Sequence, residues 1–162
     1  MVVKTRVSLP PGLDLGYLSL FLGLRVNQLV MDRMRAAGCQ QVRESHGYLI
    51  QHLIDSERTI TELARRMEVT QQAASKAVAE LVKLGVLEML PGLDRREKAI
   101  RLSDRGWSLV RMGRRIRRGI ERRLIRVAGP EEYENAKSIL TACLEGLGGT
   151  ERVRSRRVLP PN

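Results

Sequence analysis

The pattern of apolar and polar residues is most regular in the middle of the chain. Apolar residues recur at helical spacing over residues 60–67 and again over residues 73–84, which predicts two amphipathic helices. Thr59 and Glu62 have the spacing of a capping box at the start of the first helix, and Thr70 is a suitable N-cap for the second. The pattern therefore predicts a pair of helices joined by a tight turn.

The first turns of the second helix carry polar side chains on the face opposite to the apolar one. With the capping Thr70, these residues are Gln71, Gln72, Ser75 and Lys76. Glutamine can pair with adenine, serine with several bases, and lysine with guanine or phosphate. The start of a helix also offers free backbone N–H groups to a phosphate. The helix pair thus suits nucleic acid, although a plain helical hairpin with a solvated polar face is the alternative.

Two short apolar segments follow the helix pair, over residues 86–90 and 97–102, and a Pro-Gly turn lies between them. This arrangement predicts a β-hairpin. Arg95 and Arg96 lie at its tip, where they suit the strong negative potential of a narrow minor groove. Ser103 then caps a new helix. A hairpin in this position is typical of the wing of a DNA-binding domain.

The run D-R-R-E-K-A-I-R-L-S-D-R-G, residues 94–106, resembles the D-x-R…L-[ST]-x-x-G wing motif of the MarR-type winged helix-turn-helix transcriptional regulators. The similarity extends over residues 60–106. It implies that Asp94 braces the wing by pairing with arginine, that Arg96 lies near the minor groove, and that Arg95 occupies a variable position. It also implies that the polar residues at the start of the second helix face DNA.

Helical patterns flank this region on both sides, over residues 13–37, 42–54, 103–127 and 130–146. We expect a mainly α (α+β) fold with the order α1-α2-α3-α4-β-wing-β-α5-α6. The expected organisation is an N-terminal arm and dimerisation helix (1–37), a winged helix-turn-helix DNA-binding domain (38–102), C-terminal dimerisation helices (103–149) and a basic tail, expected to be mobile (150–162).

The first helix and the last two carry more apolar surface than one small winged domain can cover. The segment 15–24 is apolar on nearly every side, and such a helix in a small protein is usually covered by another subunit. A two-fold homodimer is the economical solution, and it resembles the arrangement of the family. Two recognition helices about 34–36 Å apart would then meet successive major grooves of a pseudo-palindromic operator.

Charge supports a polyanionic partner, since the 162-residue chain has a formal net charge of +11. A membrane surface is also anionic, but the apolar segment 15–24 is too short to span a bilayer and no signal-peptide cleavage site follows it. Two cysteines, Cys39 and Cys143, fit a reducing cytosol. We therefore expect a cytoplasmic, nucleoid-associated protein that binds double-stranded DNA and no membrane.

The long helix after the wing has an arginine-rich face, which consists of Arg111, Arg114, Arg115, Arg118 and Arg122. One interpretation is a solvated face that aids solubility. The other is a face that raises the positive field around DNA or pairs with acidic groups of a partner subunit.

Catalytic and metal-binding patterns are weak. His46 and His52 are the two histidines, and their spacing with Cys39 matches no usual ligand pattern. No glycine-rich phosphate loop or Ser-His-acid pattern occurs. We expect no enzyme, no cofactor and no metal. The resemblance also implies an effector cleft near the first, second and fifth helices, where Met31, His46 and Ile50 are candidates; ordinary core positions are their alternative.

Two functions follow from these patterns. The first is a dimeric, sequence-specific transcriptional regulator, expected to be a repressor, whose release by a small-molecule effector is left open. The alternative is a winged-helix module that binds nucleic acid without sequence choice or binds another protein.

Overall fold

The computed structural model describes residues 10–91 and 98–154, and within them the predicted element order is confirmed. An additional short helix, which the sequence analysis did not predict, follows α6. The elements are α1 (Leu15–Ala36), α2 (Glu44–Gln51), α3 (Ile60–Met67), α4 (Gln71–Lys83), β1 (Leu87–Pro91), β2 (Lys98–Leu102), α5 (Asp104–Ala128), α6 (Pro130–Gly146) and α7 (Thr150–Arg154).

Local capping sets the start of both central helices. The Thr59 hydroxyl accepts the N–H of Glu62 at 3.2 Å, and the Glu62 carboxylate accepts the N–H of Thr59 at 2.8 Å, so the predicted capping box is confirmed. The Thr70 hydroxyl likewise accepts the N–H of Ala73 at 3.1 Å at the start of α4. Between the helices, Glu68 has a left-handed backbone with φ of 55° and forms the tight turn.

The end of α4 is a Schellman motif, which turns the chain into the first strand. The N–H of Gly85 donates to the carbonyl of Val82 at 2.8 Å, and the N–H of Val86 donates to that of Leu81 at 2.9 Å. Gly85 has a φ of +68°, which an L side chain rarely adopts, so glycine stops the helix as expected.

The wing is an antiparallel hairpin in which Leu87 lies opposite Leu102 and Pro91 lies opposite Lys98. The backbone of Arg58 forms two hydrogen bonds with Ile100, of 3.1 and 2.8 Å, and so adds a single-residue bridge on the other side of β2. The predicted hairpin is confirmed. The tip, with Asp94, Arg95 and Arg96, lies outside the described residues.

The start of α5 is locked to the end of α4 through Ser103 and Gly106. The Ser103 hydroxyl lies 2.6 Å from the carbonyl oxygen of Gly85 and 3.0 Å from that of Val86, and it accepts the N–H of Gly106 at 3.0 Å. A Cβ at Gly106 would lie well inside contact distance of the Val86 carbonyl oxygen. Glycine is required there because the backbones of α5 and the α4–β1 turn are in direct contact.

A single apolar core joins the winged domain to the flanking helices. Its most deeply buried side chains come from α2, α3, α4, the α4–β1 turn and β2: Leu49, Leu63, Val78, Leu81, Val86 and Ile100. The second half of α1 contributes Val30 and Met34, and α5 contributes Leu109 and Ile120. The core therefore covers one half of α1 and one face of α5.

The segment 15–24 is exposed in the single chain, with Phe21 at 55%, and its expected coverage by another subunit stays a prediction. Two expectations about burial and length were wrong. Ala73 is exposed at the start of α4, where the apolar face begins one residue later at Ala74. Helix α2 is shorter than expected because Arg43 is its N-cap and a tight turn follows it from His52.

Replacing Gly106 with Ala should destabilise the protein by about 1–3 kcal/mol, because the added methyl group displaces backbone rather than a flexible side chain. Gly113→Ala is the matched control in the same helix, since nothing lies within 4 Å of a Cβ there. It should stabilise the protein by up to about 1 kcal/mol. Urea unfolding at one protein concentration measures both. Equal effects of the two substitutions would contradict the proposed backbone contact.

Replacing Glu62 with Gln should weaken the capping box mainly at neutral pH. The hydrogen bond from the Thr59 backbone lowers the pKa of the Glu62 carboxyl, so its contribution is present above the unfolded-state pKa and is lost as pH falls through the lowered folded value. The loss should be roughly 0.3–1 kcal/mol at neutral pH and should shrink below about pH 4. Unfolding curves at both pH values measure it, with Glu145→Gln as the control, because Glu145 is an exposed glutamate whose side chain caps no helix.

Candidate nucleic-acid interface

Helix α4 has one buried and one exposed face. Its buried face consists of Ala74, Val78 and Leu81, which are fully covered. The opposite face carries the polar residues singled out in the sequence, all exposed: Thr70, Gln71, Gln72, Ser75 and Lys76. Burial of the apolar face fixes the rotation of the helix, so these polar side chains point to solvent together.

The structure also brings Thr61 of α3 to this surface. The side-chain amide of Gln71 donates to the Thr61 hydroxyl at 3.1 Å, and both residues are exposed. This contact holds the glutamine amide across the turn between the two helices. Sequence reasoning missed Thr61, although its place in the first turn of α3, two residues after the Thr59 cap, could have indicated it.

The base of the wing is held by ion pairs at its outer edge. The Arg101 guanidinium lies 2.6 Å from the Glu88 carboxylate and 3.7 Å from that of Glu57. These side chains are nearly half exposed, so the pairs contribute little to folding stability. They do orient β2, which leads from the wing tip back to α5.

Behind α4, a buried histidine connects the helix to α2. His46 is only 3% exposed, and its Nδ1 accepts the N–H of Arg43 at 3.2 Å. The other ring nitrogen, Nε2, therefore carries the proton in the neutral form and lies 3.3 Å from the carboxylate of Glu80 on α4. The Arg43 guanidinium contacts the same carboxylate. The hydrogen bond from His46 and the charge of Arg43 lower the pKa of Glu80.

A cavity of about 370 Å³ lies between α1, α2 and α5. Two of the three predicted effector residues, Met31 and Ile50, line it, whereas His46 does not. Arg43 and Glu44 lie on its α2 side, and Arg114 and Arg117 on its α5 side. The structure therefore places an apolar cavity with charged edges directly beside the winged domain.

Within the described ranges, no group of three or more His, Cys, Asp or Glu residues is arranged to hold a metal ion. Cys39 is half-buried, with its sulfur 4.0 Å from that of Met112, and Cys143 is exposed on α6. No helix in the described part of the chain combines the length and apolar character needed to cross a membrane.

The fold and this surface define a winged helix-turn-helix protein. Residues 42–97 match the sequence model of the MarR family. No curated protein sequence matches the chain.

Solved structures share the fold at low sequence identity. MepR, described as a transcription regulator of the Staphylococcus aureus multidrug efflux pump MepA, is 20% identical over 83% of this chain and 99% of its own, with a TM-score of 0.69. YusO from Bacillus subtilis is 22% identical over 79% of this chain and 91% of its own, with a TM-score of 0.66. A MepR–DNA complex from S. aureus is 21% identical over 83% and 98%, with a TM-score of 0.62.

The resemblance seen in the sequence is thus confirmed: residues 42–97 match the MarR family model, and the chain has the fold of solved MarR-type winged-helix structures. This class regulates transcription and is not a class of enzymes.

Proposed function

We propose that this chain is a homodimeric, sequence-specific DNA-binding repressor that recognises a pseudo-palindromic operator in the cytoplasm. The observation that carries the proposal is the exposed polar start of α4, where Gln71, Gln72, Ser75 and Lys76 share one face. Amide and hydroxyl groups on such a face match base edges in a major groove, and the N-terminus of α4 suits a phosphate. The MepR–DNA complex, which shares this fold, supports DNA as the partner.

Wing residues complete the proposed contact. As the family motif implies, Arg96 would lie near the minor groove and Asp94 would brace the wing by pairing with arginine, while Arg95 occupies a variable position. Strands β1 and β2 form the base of this wing. The chain's charge of +11 adds a sequence-independent attraction to phosphates.

The proposed dimer is supported by apolar surface that one chain leaves uncovered. The first half of α1 exposes seven large apolar side chains, from Leu15 at 49% to Leu24 at 53%. Helix α6 has no buried residue, and Ile139 is 58% exposed. Contiguous apolar surface of this extent is typical of an interface. A two-fold partner that covers both helices would also pair two copies of α4 for successive half-sites.

The cavity supports an effector site in this regulator. Its size falls in the range of small-molecule sites, and its position between α1, α5 and the winged domain couples it to both parts of the proposed dimer. A ligand that binds better when the two copies of α4 are wrongly spaced would shift the population away from DNA.

Replacing Gln72 with Ala should weaken binding to a selected operator about tenfold or more, because a lost base contact costs about 1–3 kcal/mol, and should barely change binding to random DNA. The operator is first selected from a random duplex pool and checked by footprinting on the gene's own upstream region. Gln40→Ala, an exposed glutamine far along the chain from α4, is the matched control and should change neither affinity. Equal losses on operator and random DNA would favour a module without sequence choice.

Replacing Phe21 with Asp should convert a dimer into free chains of 18.3 kDa, because a charge would be buried at the proposed interface. Sedimentation equilibrium measures the mass. Met89→Asp is the control, since Met89 is an exposed apolar residue on the wing and should leave the dimer intact. A wild-type mass of one chain would rule out the dimer.

A further inference from the structure

Among the exposed polar side chains at the start of α4, Gln71 is hydrogen-bonded to another helix. Its Nε2 donates to the Thr61 hydroxyl oxygen on α3 at 3.1 Å. Within the described ranges, the side chains of Gln72, Ser75 and Lys76 form no hydrogen bond or ion pair. The proposed DNA-facing surface therefore contains one glutamine whose amide is held and a second, next to it in the chain, whose amide is not.

The two helices that carry this contact are fixed without it. Leu63 of α3 and Ala74 of α4 are both fully buried, and Glu68 makes the turn that joins the helices. A single exposed hydrogen bond adds little to such packing, because water competes for both of its groups. The bond between Gln71 and Thr61 is therefore not needed to hold α3 against α4. What it determines is the direction of the glutamine amide.

The hydrogen bond leaves a defined pair of groups for a ligand. A glutamine amide has two N–H donors on Nε2 and one acceptor oxygen, Oε1. Thr61 takes one of the donors, so one donor and one acceptor of Gln71 remain. Adenine presents the complementary pair in the major groove, with N7 as acceptor and its N6 amino group as donor, whereas guanine presents two acceptors there. A reversed amide would direct both N–H groups outward and would suit guanine.

We propose that Thr61 is a positioning residue for base recognition, and that it orients the Gln71 amide so that Gln71 reads adenine at one position of each operator half-site. The inference rests on the proposed DNA-binding function and names the base that one residue of that site selects. Thr61 acts through Gln71 and needs no base contact of its own. Holding the amide in advance favours the contact, because a glutamine side chain otherwise loses rotamer freedom when it binds. Gln72, whose amide has no such support, is the internal comparison.

The first test measures base preference at one operator position. That position is found by selecting duplexes from a random pool with the wild type and with Gln71→Ala, as the one at which the variant loses its preference. The wild type should prefer adenine there about fivefold or more over each other base, the scale of a bidentate contact. Thr61→Val, which removes the hydroxyl and keeps the shape, should reduce that preference about two- to fivefold, the scale of one neutral hydrogen bond. Thr61→Ser, which keeps a hydroxyl, should retain it.

Two controls separate positioning from a structural effect. Base preference at the position read by Gln72, identified in the same way with Gln72→Ala, should be equal in the wild type and in Thr61→Val. In the Gln71→Ala background, Thr61→Val should cause no further loss of preference, because a residue that acts through Gln71 then has nothing to orient. A preference for guanine at the Gln71 position would overturn the inference, and so would equal losses of affinity for operator and random DNA in Thr61→Val.

The contact itself is measured in the free protein by NMR of the glutamine side-chain amides. Thr61→Val should shift the Gln71 amide protons toward the positions of a glutamine that is free in water, whereas Thr61→Ser should leave them nearly unchanged. Neither variant should move the amide protons of Gln72. Unshifted Gln71 signals in Thr61→Val would overturn the inference. Circular dichroism checks that each variant is folded.

The inference and the proposed function fail in distinguishable ways. Wild-type protein that binds all DNA sequences equally would reject the proposed function, and the inference with it, even where NMR shows the contact. Sequence-specific binding by the wild type, without an adenine preference that depends on Gln71, would leave the proposed function standing and overturn the inference alone.

Discussion

The contact on which the structure depends most is the junction between the end of α4 and the start of α5. The Ser103 hydroxyl contacts the carbonyl oxygens of Gly85 and Val86 and accepts the N–H of Gly106, and a side chain at Gly106 would separate the two backbones. Because α5 lines the cavity and leads toward α6, this junction sets the recognition helix against the remainder of the chain. A small change there would move the DNA-facing residues and the cavity walls together.

Helix α4 is held by two kinds of contact, and each restricts it differently. Its apolar side is closely packed, which fixes the rotation of the helix and so aims Gln72 and Lys76 outward. Its flank carries Glu80, whose ion pair with Arg43 is exposed and therefore weak. Packing thus holds the helix in the domain, while a weaker polar contact decides its fine position relative to α2.

Electrostatics separates affinity from specificity in this fold. The net charge of +11 attracts any DNA duplex. The arginine-rich face of α5 is exposed along its length, which is compatible with a solvated face and equally with a face that raises the positive field around DNA or pairs with a partner subunit. In the proposed function, sequence choice comes instead from the few uncharged polar groups at the start of α4. If charge supplies the affinity and these polar groups supply the specificity, DNA binding should depend strongly on salt. Only a small number of residues should then distinguish one DNA sequence from another.

Much of the architecture could be predicted from the sequence because it depends on short-range interactions. The Thr59 and Thr70 caps, the Gly85 stop and the turn of the hairpin depend on residues within a few positions of one another, so a sequence pattern can reveal them. Long-range contacts had no such pattern: nothing local shows that Arg43 meets Glu80 or that His46 lies beneath α4 rather than in the cavity. The apolar start of α1 was recognised, but only the packed chain shows that its own core leaves that surface uncovered, because burial depends on which distant elements meet.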